Sequence, residues 1–446
     1  MAGGGTWETQ NKVRPGVYIR FRSGEGTGLT AGERGTVAIC EPMSWGPVGQ
    51  VMTVEAGTDT TPFCGHSITQ PQARFLQQIF LGTNRTAGAN RVYLYRPSAD
   101  SSSSASATVT PLTATAKYPG ARGNDISIVI TEDADSSGVF TVNTVVDGQI
   151  VDSQTAETVG DLKANDWVTF SGTGDLAATT GTPLTGGADG TVQAAAYSTF
   201  LTNIEPYKFD ILIYDGTEST VQTAMISFIK RIAEENGQYA QLVASGLTNP
   251  DSRYVINAKS GVTLNDGTAL TAAQACWWVG GAQAGAMYNE SLTNAVYPNA
   301  VAASPVNTNS QIIAALNAGE FVLTADNGAV RVEQDINSLV TYTAEIGSVY
   351  RKNRVMRLCN AIANDVYRQF VENYLGPVNN NETGRALFKS AIVGYMLELQ
   401  GAEAIQNFSA DDVEVLPGND IDSILINLAV HAVDSVEKVY MTVTVS

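Results

Sequence analysis

The chain has 446 residues, of which 43% are hydrophobic and 16% charged, enough to bury a sizeable core and too apolar for wholesale disorder. Lys and Arg total 26 against 44 Asp and Glu, a formal net charge of -18, which excludes nucleic-acid binding driven by overall charge. Cys40, Cys64, Cys276 and Cys359 lie far apart with no Cys-x-x-Cys pair, fitting neither a zinc site nor a disulfide-stapled domain, so reduced cytoplasmic thiols and no signal peptide are the expectation.

In chain order, Val17, Ile19 and Phe21 alternate with Tyr18, Arg20 and Arg22, the period of a half-exposed strand, and Pro15 just before them suits a sheet edge. The run Gly24-Glu25-Gly26-Thr27-Gly28 matches a phosphate loop only loosely: no Gly-Lys-Ser/Thr follows it, and Glu25 would repel phosphate. A strand at 36–40, a helix near 71–81 and a strand at 91–96 have βαβ-like spacing. Residues 98–108, a Ser/Ala tract, read as a linker. Residues 117–190 carry β-rich runs at 126–131, 139–146 and 167–170, with no helix beyond a turn near Asp161, and read as an inserted β domain. Its exit, Leu184-Thr185-Gly186-Gly187-Ala188-Asp189-Gly190, reads as a Gly-rich hinge.

A strand at 209–214, an amphipathic helix at 220–236 and a strand at 239–244 form a βαβ unit. The uncharged stretch 267–289 reads as a buried helix, because Gln, Thr and Gly keep its hydropathy too low for a membrane span. Residues 312–323 read as a helix and, after Gly319, a strand. Val355, Leu358, Ile362, Val366 and Phe370 stand at helical spacing within 350–375, closed by Gly376-Pro377. A second helix at 383–400 starts near Asn381 and carries Leu387, Ile392, Tyr395, Met396 and Leu399. Ile424, Ile426, Leu428 and Val430 then alternate with Leu425, Asn427, Ala429 and His431. Val439, Met441, Val443 and Val445 alternate with Lys438, Tyr440, Thr442 and Thr444, so the chain ends inside a strand.

Chemistry-bearing clusters are sparse. His66 and His431 are the only histidines, too few for a multi-histidine metal site or an ordinary Ser-His-Asp triad. Cys64-Gly65-His66 reads as a turn, and Asp411-Asp412 with Asp420 and Asp422 lack the alternation of a Ca²⁺ loop. Asp215-Gly216-Thr217-Glu218 sits where an α/β enzyme would place polar groups, but no base or nucleophile accompanies it and a helix-capping Thr/Ser loop accounts for it. Against the acidic average, Arg351, Lys352, Arg354 and Arg357 crowd two helical turns, with Arg385 and Lys389 on the next helix. A solvated face, an acidic protein partner and nucleic acid are the three readings. Both chain ends are strand-like with unpaired backbone groups, which invite pairing with another chain. Arms lent head-to-tail generate rings or helical filaments.

Three stretches in order add a resemblance: Asn11-Lys12-Val13-Arg14-Pro15-Gly16-Val17-Tyr18, Tyr118-Pro119-Gly120-Ala121-Arg122-Gly123-Asn124-Asp125 and Glu333-Gln334-Asp335-Ile336-Asn337-Ser338-Leu339. Arg351-Lys352-Asn353-Arg354-Val355, Gly384-Arg385-Ala386-Leu387-Phe388-Lys389 and the run 433–443 extend it. With these the chain resembles the contractile-tail sheath proteins of phages, prophages and phage-tail-like bacteriocins. The resemblance implies a non-catalytic subunit without cofactor or metal, of mixed α/β multidomain (α+β) fold. Residues 1–22 would be an N-terminal arm, 23–98 and 193–345 a middle α/β domain, 99–192 an all-β outer domain, and 346–446 an inner domain of helices plus a sheet completed by exchanged terminal strands.

It further implies hexameric rings stacked on a tail tube, contraction that drives the tube through a target envelope, and baseplate and tail terminator proteins as further partners. Assembly would take place in the host cytoplasm, with no nucleic acid bound and no membrane inserted. Val17, Tyr18, Ile19, Phe21, Val439, Tyr440, Met441, Val443 and Val445 are the expected inter-subunit strand residues. Arg351, Lys352, Arg354, Arg357, Arg385 and Lys389 are the expected tube-facing ones. An α/β enzyme and a non-contractile surface-layer or adhesion protein are the alternatives; the second would need an export signal.

Overall fold

The computed structural model describes residues 3–6, 10–20 and 34–445. Phe21, Arg22 and the Gly-rich run 24–28 lie outside the described residues. Among the described residues the α-helices are α1 (Thr61–Cys64), α2 (Arg74–Leu81), α3 (Ala194–Ile204), α4 (Ser219–Glu234), α5 (Ala272–Gly285), α6 (Asn309–Asn317), α7 (Asn353–Asn373) and α8 (Glu382–Gly401). The chain forms two compact units: Met1–Ala38, Gln78–Val92 and Glu205–Ser446 make one, Ile39–Gln77 and Tyr93–Ile204 the other.

In the first unit, strand Ile211–Ile213 pairs parallel with Gln241–Ser245, that strand with Val255–Ala258, and that one with Glu320–Phe321. Parallel strands need a crossover; α4 supplies it, turning Val221, Met225, Phe228, Ile229 and Ile232 inward. The expected βαβ unit is therefore present. Helix α5 is the buried helix expected from its uncharged sequence, with Trp278 fully enclosed, stacked on Tyr297 at 4.0 Å and donating Nε1–H to the Gly82 carbonyl at 2.6 Å. A Cβ on Gly281 would stand 2.0 Å from the Ile79 carbonyl oxygen, so only glycine lets these backbones touch.

Helices α7 and α8 pack through Leu358, Ile362, Phe388, Ile392, Tyr395, Met396 and Leu399. The Asn381 side chain caps α8 by accepting from Gly384 N at 2.8 Å. Val413–Pro417 and Ile424–Leu428 pair antiparallel beside them, with Val415, Ile424, Ile426 and Leu428 against the same core. Residues 205–446 belong to this one compact unit.

The second unit holds a β-sandwich. One sheet has the order Gln149–Ala156, Phe140–Val146, Ile126–Glu132, Thr179–Pro183; the other has Val168–Ser171, Leu112–Ala116, Ser106–Val109. Its core includes Trp45, 4.8 Å from Trp167 and 5.3 Å from Tyr118 between ring centres. The expected linker at 98–108 is corrected. Asp100, Ser103 and Ser106 bridge Thr191, Ala188 and Thr185, residues of or next to the supposed hinge, and Ala105 is fully buried. Small side chains here serve close packing of two paired segments, not flexibility. Helix α3, which sequence reading missed, buries Ala196, Phe200, Leu201 and Ile204.

Gly281→Ala should destabilise the first unit by on the order of 1–3 kcal/mol, the usual cost of overpacking a tight core. A lowered urea midpoint at unchanged slope is the expected result.

Candidate assembly surfaces

The basic cluster at the start of α7 is not a solvated face. Arg357 is completely buried; its Nη2 lies 2.7 Å from Asp335 Oδ2 and 2.6 Å from the Glu290 carbonyl, and Nη1 donates to Gln283 Oε1. Asp335 also accepts from Gln283 Nε2 at 2.7 Å, Leu292 N at 3.0 Å and Asn353 Nδ2 at 3.0 Å. Burial by itself would raise the Asp335 carboxyl. The Arg357 charge and the hydrogen bonds outweigh that and hold it below the usual carboxylate range. Arg354 is also buried, with Nη2 3.4 Å from the Glu403 carbonyl, and burial lowers its pKa. Arg351 donates to the Leu316 carbonyl, and Lys352 pairs with Glu437 and lies 3.5 Å from Asp434.

The expected tube-facing stripe is thus corrected at Arg357 and Arg354: helical spacing gathers these side chains on one face, but that face points into the unit. The sequence signal for their acid was present in Glu333-Gln334-Asp335, read only as a family motif. On α8, Arg385 bonds Asn380 Oδ1 at 3.0 Å and Lys389 is half-buried. Leu387 and Leu397 of the same helix are exposed.

At the N-terminus, Gly16–Tyr18 pairs parallel with Gly3–Gly5 of the same chain. Ile19 N donates to the Gly5 carbonyl at 2.7 Å, and the Tyr239 hydroxyl donates to the Ile19 carbonyl at 2.9 Å. A Cβ on Gly4 would stand 2.3 Å from the Asn236 carbonyl oxygen, so this contact also requires glycine. Val17, Tyr18 and Ile19 are half-buried against their own unit.

The C-terminus differs. Residues 438–445 join no strand, and Val439, Tyr440 and Met441 are 82%, 91% and 81% exposed, with Val443 and Val445 exposed as well. The alternation expected of a strand is present in sequence, but no strand among the described residues pairs with it. Among the described residues no third strand joins the two-stranded sheet Val413–Pro417 and Ile424–Leu428.

The other candidate chemistry is absorbed by structure. Cys64-Gly65-His66 is the turn ending α1, with Gly65 left-handed at φ 75°. Asp215 accepts Trp277 Nε1–H at 2.8 Å, and Glu218, at the N-cap of α4, makes no side-chain cap bond, so the Thr/Ser capping expectation is corrected. Asp412 is the capping-box partner of Ser409. Among the described residues no group of three or more His, Cys, Asp or Glu side chains could hold a metal, and no helix is long and apolar enough to cross a membrane.

Four family models match in series: "Tail sheath protein Gp18 domain III N-terminal region" over residues 34–96, "Phage tail sheath protein beta-sandwich domain" over 100–189, "Phage tail sheath protein central domain" over 190–338, and "Phage tail sheath C-terminal domain" over 345–446. The crystal structure of a sheath tail protein from Desulfitobacterium hafniense is 43% identical, with a TM-score of 0.85 over 96% of this chain and 99% of that one. The phage-like element PBSX protein XkdK of Bacillus subtilis is 34% identical over 99% of this chain and 100% of its own length. The anti-feeding prophage helical sheath in its contracted state shares the fold, with a TM-score of 0.57 at 13% identity over 98% of this chain and 99% of that one.

Arg357→Met would strand the Asp335 carboxylate without its counter-ion and should cost about 3–5 kcal/mol of unfolding free energy. Because the folded carboxyl is depressed, its stabilisation is complete above the unfolded value of about 3.9 and is lost as pH falls through the folded one. Urea titrations across that acid range should show stability declining, and Asp335→Asn, which does not titrate there, should lose that part of the slope.

Proposed function

Because the chain belongs to the phage tail sheath protein family, we propose that it polymerises as stacked six-membered rings around a tail tube and contracts to drive the tube through a target cell envelope. As a tail sheath protein it is structural, not an enzyme. The observation that carries the proposal is the C-terminal arm, whose exposed apolar side chains and unpaired backbone project from an otherwise packed unit. A two-stranded sheet has edges to which a further strand can pair. The sheet at 413–428 gains stability if a neighbour's residues 439–445 add a strand to its edge by main-chain pairing. Each subunit then gives one arm and receives another, a head-to-tail contact that closes into rings or runs on as a helix.

In this reading Val439, Tyr440, Met441, Val443 and Val445 form the inter-subunit strand. Tube contact belongs to α8 through Arg385, Lys389 and the exposed Leu387, since the cations at the start of α7 are engaged within the subunit. The β-sandwich is the outer domain. Baseplate and terminator proteins bind the ends of the polymer, which assembles in the host cytoplasm.

Deleting residues 439–446 should leave a folded subunit that no longer forms tubes in negative-stain images; normal tubes from this variant would sink the strand-exchange reading. Copies carrying a net charge of -18 repel one another, so raising salt from about 0.05 to 0.3 M should promote polymerisation by screening. Arg385→Glu with Lys389→Glu should weaken co-sedimentation with the tube, most at low salt. Unchanged tube binding across that range would move the tube contact elsewhere.

A further inference from the structure

Glu437 stands immediately before the exposed arm, and its side chain is held from three directions. Thr293 Oγ1 donates to one carboxylate oxygen at 2.8 Å; Gln334 Nε2, at 2.8 Å, and the Lys352 ammonium donate to the other. Only 11% of this side chain is exposed. Burial alone would raise its pKa, but donation by Lys352, Gln334 and Thr293 holds the carboxyl below its usual range. Upstream, the Val433 N–H is bonded to the Ala404 carbonyl at 2.9 Å, and Ala432 bridges Ile405. Downstream, residues 438–445 are exposed.

We propose that Glu437 is the positioning residue of the C-terminal arm, pinning its root to Lys352 so that the free strand begins at Lys438. This inference rests on the strand-exchange reading. Two consequences follow from the geometry of a strand. Side chains alternate with a period of two, so a one-residue slip turns every apolar group to the wrong face. Fixing Glu437 therefore fixes the side taken by Val439, Met441, Val443 and Val445, which share its parity. Pinning also spares residues 434–437 from being ordered during association, a conformational cost that would be drawn from binding. Any pull on the exchanged strand passes through Lys352 into the start of α7 and through Gln334 into the segment beside Asp335.

The test uses the full chain with Glu437→Ala and Glu437→Gln, and reads three quantities: the thermal melt of the dispersed subunit, the critical concentration for polymerisation by sedimentation, and the sharpness of the layer lines from the tubes. The expected result for Glu437→Ala is a subunit that still melts cooperatively, at a somewhat lower temperature, a critical concentration about ten-fold or more above wild type, and blurred layer lines from mixed register. Glu437→Gln, which keeps an acceptor but loses the charge, should fall between. A critical concentration within about two-fold of wild type for both variants would overturn the inference. So would loss of the folded subunit in both, since Glu437 would then be a stability residue and not a positioning one. The truncation at 439 separates this from failure of the parent reading. If the truncated chain polymerises normally, strand exchange fails whatever Glu437 does. If truncation abolishes tubes while Glu437→Ala leaves them untouched, only the pinning fails.

Discussion

The first unit is organised around one buried ion pair. Asp335 and Arg357 have side chains only 1% exposed, and taking two charges out of water is repaid only when their remaining donors and acceptors are met. Here Gln283 from α5, Leu292 from the following loop and Asn353 from α7 complete the carboxylate, and the Glu290 carbonyl and Gln283 serve the guanidinium. A polar core so satisfied has few alternative arrangements, and it fixes the start of α7 against α5 and the segment 333–339. Two of the groups that hold Glu437 are direct chain neighbours of this centre: Gln334 precedes Asp335, and Lys352 precedes Asn353. The root of the arm takes its position from the buried pair.

That dependence explains which features were legible in sequence. Helices α4, α5, α7 and α8 announced themselves because burial of one face, or of all faces for α5, leaves a periodic or uncharged pattern in consecutive residues. The alternation at 439–445 is equally plain in sequence, yet among the described residues it forms no strand, because a pattern is local and a ladder needs a partner. The direction faced by the basic cluster was not legible. Spacing puts Arg354 and Arg357 on one side of a helix but carries no information about what lies opposite, and the neutralising acid is 22 residues away in sequence. The Ser/Ala tract misled for a related reason: small side chains suit both a solvated linker and two segments paired closely, and only the bridges to Thr185, Ala188 and Thr191 decide between them.

The two chain ends show how one local pattern can have different outcomes. Gly16–Tyr18 finds Gly3–Gly5 within its own chain, on a surface where Gly4 permits backbone approach to Asn236. Residues 439–445 pair with no strand among the described residues and keep large apolar side chains in water. Exposure of that kind is costly for a dispersed subunit, at about 25 cal/mol per Å² of apolar surface, and the cost is recovered only in a complex.

A sheath that changes length must let subunit faces slide while the polymer stays whole. Ion pairs between surfaces fail that requirement, since each depends on one geometry and is weakened by salt. A strand paired to a neighbour's sheet meets it: the ladder is made of backbone groups and moves as a body with the acceptor. Seven residues extended at about 3.3 Å each give an arm of about 23 Å. For the same reason the root has to be the fixed point. If the arm were loose at both ends, reorientation would be absorbed as slack, and the movement of one copy would not be transmitted to another.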